Sequence, residues 1–241
     1  MNVMSDKYFV IDLSLFDLHT EKEGKRLKLQ ISQSVYVAKK YKIKNKLILT
    51  GVSEKTKNEL AGYGVKQKMY SNLKEFLKGV DRKIFLVFDP NASDVFTEGD
   101  IENFDVFVVG GIVDTAKDEK KTTEYLSKIF EKQGLKFTRK KVLLRGDVVG
   151  VPDRINMFLE MLFKIIYDKI PIEKAIYETQ SRKIARWRLR KELKNFVEVR
   201  YENDKKVRIV RKEVFEKIKE WLNIEYKDFE KVAEEQGIKI V

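Results

Sequence analysis

The chain has 241 residues, 43% of them hydrophobic, and carries 50 lysines and arginines against 38 acids for a net charge of +12. That length fits one large domain or one domain with a small appendage, and that hydrophobic fraction excludes wholesale disorder. The absence of cysteine and the single histidine exclude disulfides, thiolate metal sites, a cysteine nucleophile and a polyhistidine metal centre. No stretch approaches the ~20 apolar residues that span a membrane, and residues 1–7 lack the charged-then-apolar order of a signal peptide. The basic excess favours a polyanionic partner, because each neutralised phosphate releases counterions. A lysine-rich thermophile surface is the alternative source of such charge.

Residues 8–13 read as a strand. Thr20-Glu21-Lys22-Glu23 is a capping box, and the helix it opens runs to about residue 40. A second strand is expected at 46–50, and short helices at 53–61 and 72–77. A third strand, 84–88, ends at Asp89-Pro90-Asn91. Residues 106–109 are a continuous apolar run bounded by glycines, the pattern of a central strand in a parallel sheet. Gly110-Gly111 follows, and Asp114 comes soon after. A helix over 121–133 is stopped by Gly134, and 142–144 reads as a short fifth strand. The helix predicted over 153–167 is apolar nearly all round and must be buried. Strands alternating with helices define an α/β class with a mainly parallel sheet.

The pattern changes near Thr179. A helix over 181–193 carries Arg182, Lys183, Arg186, Arg188, Arg190 and Lys191. Residues 196–201 and 207–211 suggest a hairpin around Asn203-Asp204, and charged helices are expected over 212–222 and 226–236. The division is therefore 1–180 for the α/β domain and 181–241 for a small α+β C-terminal domain.

A Rossmann motif is excluded, because the first strand ends in Asp12-Leu13-Ser14-Leu15 without a glycine. A P-loop is absent as well. Gly110-Gly111 is either a tight turn or a place where backbone approaches a ligand. The glycine-punctuated loop over 143–152 is either a cofactor cradle or an ordinary strand-to-helix connection.

The order Val109-Gly110-Gly111-Ile112-Val113-Asp114, a Lys/Thr-rich helix, Gly134-Leu135, a strand and then residues 154–162 resembles the tRNA purine-9 N1-methyltransferases of the SPOUT superfamily, archaeal type. The N-terminal stretch from Ile11 to Glu23 is similar to the opening of the same family, as are Gln30-Ile31 and Leu47-Ile48-Leu49-Thr50. The resemblance spans residues 8–190. Three departures put the chain on a divergent branch. Leu15-Phe16-Asp17 replaces the usual Phe-Asp-Asp, Lys140-Lys141-Val142 the usual Leu-Pro-Ile, and Gln33-Ser34-Val35 an arginine-cysteine-tyrosine stretch.

The resemblance implies a SPOUT-type parallel sheet with a C-terminal trefoil knot, and S-adenosylmethionine bound there by loop backbone. It places the cofactor at Gly110, Gly111 and Val113, at Leu144, Arg145, Gly146 and Val148, and at Asn156. It makes Asp114 the catalytic acid, with a second acid at Asp12 or Asp17. Methyl transfer from a sulfonium needs orientation more than covalent chemistry, and no metal. Guanine N1 carries a proton and needs a base, whereas adenine N1 offers a lone pair. Asp114 is then a base or an orienting group; a helix cap or a surface acid is its structural alternative. His19 is read as structural. Trp187 either stacks on a base or docks its helix, and docking is preferred.

The expected tRNA contacts are Arg182, Lys183, Arg186, Arg188, Arg190 and Lys191, then Lys117, Lys120 and Lys121. The expected activity is N1-methyladenosine formation at position 9 of tRNA, with N1-methylguanosine, or methylation of both purines, the alternative. The lean to adenine rests on the divergent branch and on no single residue. The implied protein is a cytoplasmic monomer without metal or membrane. The rivals are a non-catalytic RNA-binding SPOUT protein and a generic α/β protein with a thermophile surface.

Overall fold

The computed structural model describes residues 7–80, 84–113, 122–143, 154–202 and 205–241. The elements of the first part, in chain order, are β1 (Tyr8–Asp12), α1 (Glu21–Lys40), β2 (Leu47–Thr50), α2 (Glu54–Ala61), β3 (Lys68–Met69), α3 (Leu73–Leu77), β4 (Phe85–Phe88), α4 (Asp100–Asn103), β5 (Val106–Gly110), α5 (Thr123–Lys132), β6 (Thr138–Lys140), α6 (Ile155–Tyr167) and α7 (Ile172–Thr179). The described strands of this part form one sheet in the order β3-β2-β1-β5-β4-β6, with every pairing parallel.

Side chains alternate across this sheet. Phe9, Ile11, Phe107 and Val109 face one way, into a core shared with Leu27 and Ile31 of α1 and with the apolar residues of α6. Val10, Val106 and Val108 face the other way, onto Leu73, Phe76 and Leu77 of α3 and Leu126 and Phe130 of α5. Both faces are thus covered, which is why β2, β4 and the apolar part of β5 are buried at every position. Phe9 and Phe107 are register partners on adjacent strands and stack with centroids 5.8 Å apart. Phe163 of α6 meets Phe9 edge-on at 4.7 Å.

The capping box of α1 forms as expected, with Thr20 and Glu23 each accepting from the other's backbone N–H. α6 has no cap of its own at Arg154. Gln30 of α1 supplies one, its side-chain oxygen accepting from the Ile155 N–H at 2.9 Å.

The second part holds α8 (Arg182–Glu192), β7 (Glu198–Glu202), β8 (Lys205–Val210), α9 (Glu213–Lys219), α10 (Tyr226–Glu235) and β9 (Lys239–Ile240). The expected hairpin is present as antiparallel β7 and β8, and β9 adds to β8 in parallel. Ala185, Leu189, Ile218, Phe229 and Val232 join a hydrophobic cluster of their own, drawn from 185–238.

One local expectation is corrected. The strand expected at 142–144 lies instead at Thr138–Lys140, on the sheet edge. It pairs with β4 through its backbone, and ion pairs from Arg139 to Asp89 and from Lys140 to Asp100 hold it. Val142 is a buried core residue without being a strand residue. α4, α7, β3 and β9 were not foreseen; β3 and β9 have two residues each, too few to show a period. The implied knot would involve 114–121 and 144–153, which lie outside the described residues. No helix among the described residues is long and apolar enough to cross a membrane.

Candidate active site at the carboxyl edge of the sheet

β2 and β3 lie on one side of β1, and β5, β4 and β6 on the other. The strand order therefore reverses between β1 and β5, and in open α/β sheets the crevice outside the carboxyl ends at such a point is where ligands bind.

Asp12, the last residue of β1, organises this edge. Its side chain is buried and accepts from the Thr50 hydroxyl at 2.6 Å and the Ser14 N–H at 3.0 Å. Burial pushes the Asp12 carboxyl above the usual carboxylate range, against these hydrogen bonds, which pull it down. Its backbone oxygen accepts from the Gly111 N–H at 2.7 Å. One residue thus ties the ends of β1, β2 and β5 together. The structure points Asp12 to a joining role; Asp17 is exposed on the 3₁₀ turn Phe16–Leu18.

Both glycines are explained by this geometry. A Cβ on Gly111 would sit against the Leu13 side chain and 2.8 Å from the Asp12 carbonyl oxygen. The absent side chain therefore makes room for protein, not directly for a ligand as a close-approach turn first suggests. A Cβ on Gly110 would meet side chains alone, the flexible end of Ile112 at 2.9 Å and Leu126 at 3.4 Å.

His19 does more here than precede a capping box. Its Nε2 accepts from the Val113 N–H at 3.0 Å, and its Nδ1 lies 3.1 Å from the Phe16 carbonyl oxygen. The first contact requires a bare Nε2, so the second is a donation from Nδ1–H. The N–H groups of Gly111 and Val113 are consequently used within the protein. Sequence reasoning missed this role because the partners are 94 residues apart.

Asn156, in the first turn of α6, has a buried side-chain oxygen with no hydrogen-bond partner among the described residues. Such an atom is costly unless a ligand donor reaches it. Asp114, Lys117, Lys120, Lys121, Leu144, Arg145, Gly146 and Val148 lie outside the described residues. No cluster of potential metal ligands occurs among the described residues.

The basic helix α8 departs most from expectation. Arg182 pairs with Glu225 at 2.6 Å and Asp228 at 3.0 Å, Arg186 with Asp228 at 3.6 Å, and Arg190 with Glu235 at 2.8 Å. Three of the expected phosphate contacts are thus engaged with carboxylates at and on α10. Arg188 cannot serve as a surface contact: it is 2% exposed and lies over the Trp221 ring at 5.1 Å. Burial pulls its guanidinium pKa down, and Glu192 pulls it up. Arg188→Ala is expected to cost about 3 kcal/mol by breaking a buried charge arrangement. The check is a denaturant melt beside a tRNA salt titration: the midpoint should fall and the salt slope should stay.

An open, doubly covered parallel sheet with Gly110-Gly111 at the carboxyl end of its switch-point strand β5 defines the α/β ligand-binding class. A family model described as the tRNA (guanine(9)-/adenine(9)-N1)-methyltransferase C domain matches residues 186–241, and one described as protein arginine N-methyltransferase SFM1-like matches 32–138. The tRNA (guanine(9)-/adenine(9)-N1)-methyltransferase of Thermococcus kodakarensis is 41% identical over 95% of this chain and 62% of its own length. The tRNA (adenine(9)-N1)-methyltransferase of Sulfolobus acidocaldarius is 30% identical over 72% of this chain and 54% of its own. The chain thus spans less than two thirds of either curated relative. A crystal structure of dual-specific Trm10 from Thermococcus kodakaraensis superposes with a TM-score of 0.63 at 36% identity, covering 72% of this chain and 99% of that one. Sulfolobus acidocaldarius Trm10 in complex with S-adenosylhomocysteine shares the fold at a TM-score of 0.69 and 24% identity, over 95% of this chain and 68% of that one. The chain belongs to the tRNA (guanine(9)-/adenine(9)-N1)-methyltransferase family of SPOUT proteins.

Proposed function

We propose that this chain is an S-adenosylmethionine-dependent methyltransferase acting at N1 of the purine at position 9 of tRNA. The observation that carries the reading is the β1–β5 switch point of the sheet, with Gly110-Gly111 at the carboxyl end of β5 and a buried Asn156 oxygen, without a hydrogen-bond partner among the described residues, at the start of α6. The cofactor supplies an electrophilic methyl group. Gly110, Gly111, Val113 and Asn156, with Leu144, Arg145, Gly146 and Val148, are the residues proposed to hold it. Since the N–H groups of Gly111 and Val113 are already used, these two offer their carbonyls and their shape.

Asp114 directly follows Val113 in the chain. For guanine it takes the N1 proton as attack begins. For adenine there is no proton to take, and Asp114 orients the exocyclic amine. Of the N-terminal acids, exposed Asp17 suits a substrate role better than Asp12, whose oxygens are both used. The target base must leave its stack to reach this crevice. Residues 1–180 are proposed to carry the chemistry and 181–241 the RNA affinity. Adenine is favoured, and guanine or both purines is the alternative; of the two curated relatives, one is named for both bases and one for adenine alone.

The decisive experiment incubates unmodified tRNAs bearing A9 or G9 with protein and cofactor, then identifies the nucleosides by mass spectrometry. Methylated A9 alone supports the favoured reading, and methylated G9 turns it to the alternative. Tight tRNA binding without cofactor binding or product would leave a non-catalytic RNA-binding protein. A second measurement addresses His19. His19→Leu removes the acceptor for the Val113 N–H and is expected to weaken cofactor binding about tenfold, the worth of one hydrogen bond. Calorimetry reads this directly.

A further inference from the structure

α8 has two basic lines, and they differ in state. Arg182, Arg186 and Arg190 are engaged by Glu225, Asp228 and Glu235. Lys183, Trp187 and Lys191 follow at four-residue spacing, one above the next on a helix. Lys194, just past the helix end, is also exposed. None of these three lysines is ion-paired among the described residues, and Glu192, the sole acid of α8, is buried. The Trp187 indole is 49% exposed, so it does not dock the helix; Ala185 and Leu189 do that on the opposite side. The other tryptophan, Trp221, is occupied by Arg188.

An exposed indole bracketed by two ammonium groups that have no ion pair among the described residues suits one kind of occupant. An apolar protein partner gains little from an aromatic ring hedged by lysines. A nucleotide gains at every point: its base has a π-face for the indole, and its flanking phosphates have a cation on each side. The Cα atoms of Lys183 and Lys191 lie about 12 Å apart at helical rise, leaving room for a base between them. The net charge of +12 fits the same occupant.

We propose that Lys183, Trp187 and Lys191 form a stacking platform for an unpaired base of RNA, with the adjoining phosphates held by the two lysines. The arginine line stiffens α8 against α10, and the lysine line meets the nucleic acid. This rests on the reading of tRNA as the partner.

The test uses the full chain with Trp221→Phe, which leaves Trp187 as the sole tryptophan. Its emission should be quenched saturably by tRNA and, more weakly, by a single-stranded oligouridine. Trp187→Ala should weaken tRNA binding about tenfold or more, the range for losing one base–aromatic stack, and Trp187→Phe should restore most of it. Lys183→Ala with Lys191→Ala should lower the salt slope by about 2 units, at one per phosphate contact. Arg190→Ala should leave the slope unchanged. If the chain binds tRNA in a gel shift while Trp187 stays unquenched and Trp187→Ala binds equally well, this inference falls and the proposed function stands. If the parent chain binds no tRNA at all, both fall.

Discussion

Asp114→Asn is expected to lower the single-turnover methylation rate on a G9 tRNA by about 100-fold or more, the usual worth of a positioned general base. Guanine N1 must lose its proton before or as it attacks, and an amide cannot take it. On an A9 tRNA the loss should be smaller and nearly flat with pH, since adenine N1 has no proton to give. Cofactor and tRNA affinities should hold, because Asn keeps the shape of Asp. Asp114 is the next residue in the sequence after Val113, whose N–H His19 accepts. Single-turnover rates across a pH series decide the matter. Rates equal to the parent on both substrates at every pH would remove Asp114 from the chemistry.

Gly111→Ala should be the most damaging small substitution in the sheet edge, and Gly110→Ala a mild one beside it. The added methyl at 111 runs into the Leu13 side chain and the Asp12 backbone carbonyl, which is itself bonded to the Gly111 N–H. Backbone cannot swing aside, so β5 must separate from β1. Overpacking of this kind costs about 1–3 kcal/mol, and the upper end applies where the obstacle is main chain. At 110 the obstacle is the tip of Ile112, which can rotate away. Thermal melts of the two variants should therefore differ clearly. Cofactor affinity by calorimetry should fall for Gly111→Ala, because the crevice wall and the Asp12 joint move together. A Gly111→Ala variant with parental melting and affinity would show that this edge is slacker than its geometry implies.

The family and the α/β class were legible from the residues, and the reasons are local. Four apolar residues closed by two glycines at 106–111 mark a strand covered on both faces, and β5 is that strand, between β1 and β4. Thr20 and Glu23 mark a helix start because their partners are three residues away. The Asn203-Asp204 signal predicts a hairpin for the same reason, and β7 and β8 pair antiparallel on either side of it. β6 escaped notice because an edge strand needs backbone pairing more than apolar side chains, and Thr138–Lys140 has none.

What the tertiary structure alone decided is which partners these side chains have. Nothing near Asp12 announces that Thr50, 38 residues on, will occupy its carboxylate. His19 reads as a loop residue until the sheet brings Val113 to its ring. The arginines of α8 read as a uniform cationic cluster until α10, some 45 residues later, claims three of them and the core takes Arg188. Composition determines how much charge a chain carries, and periodicity determines which face of an element is buried. Whether a given charge meets solvent, a carboxylate or a ring depends on elements distant in sequence, and that pairing exists only once the sheet order and the helix packing have brought them together.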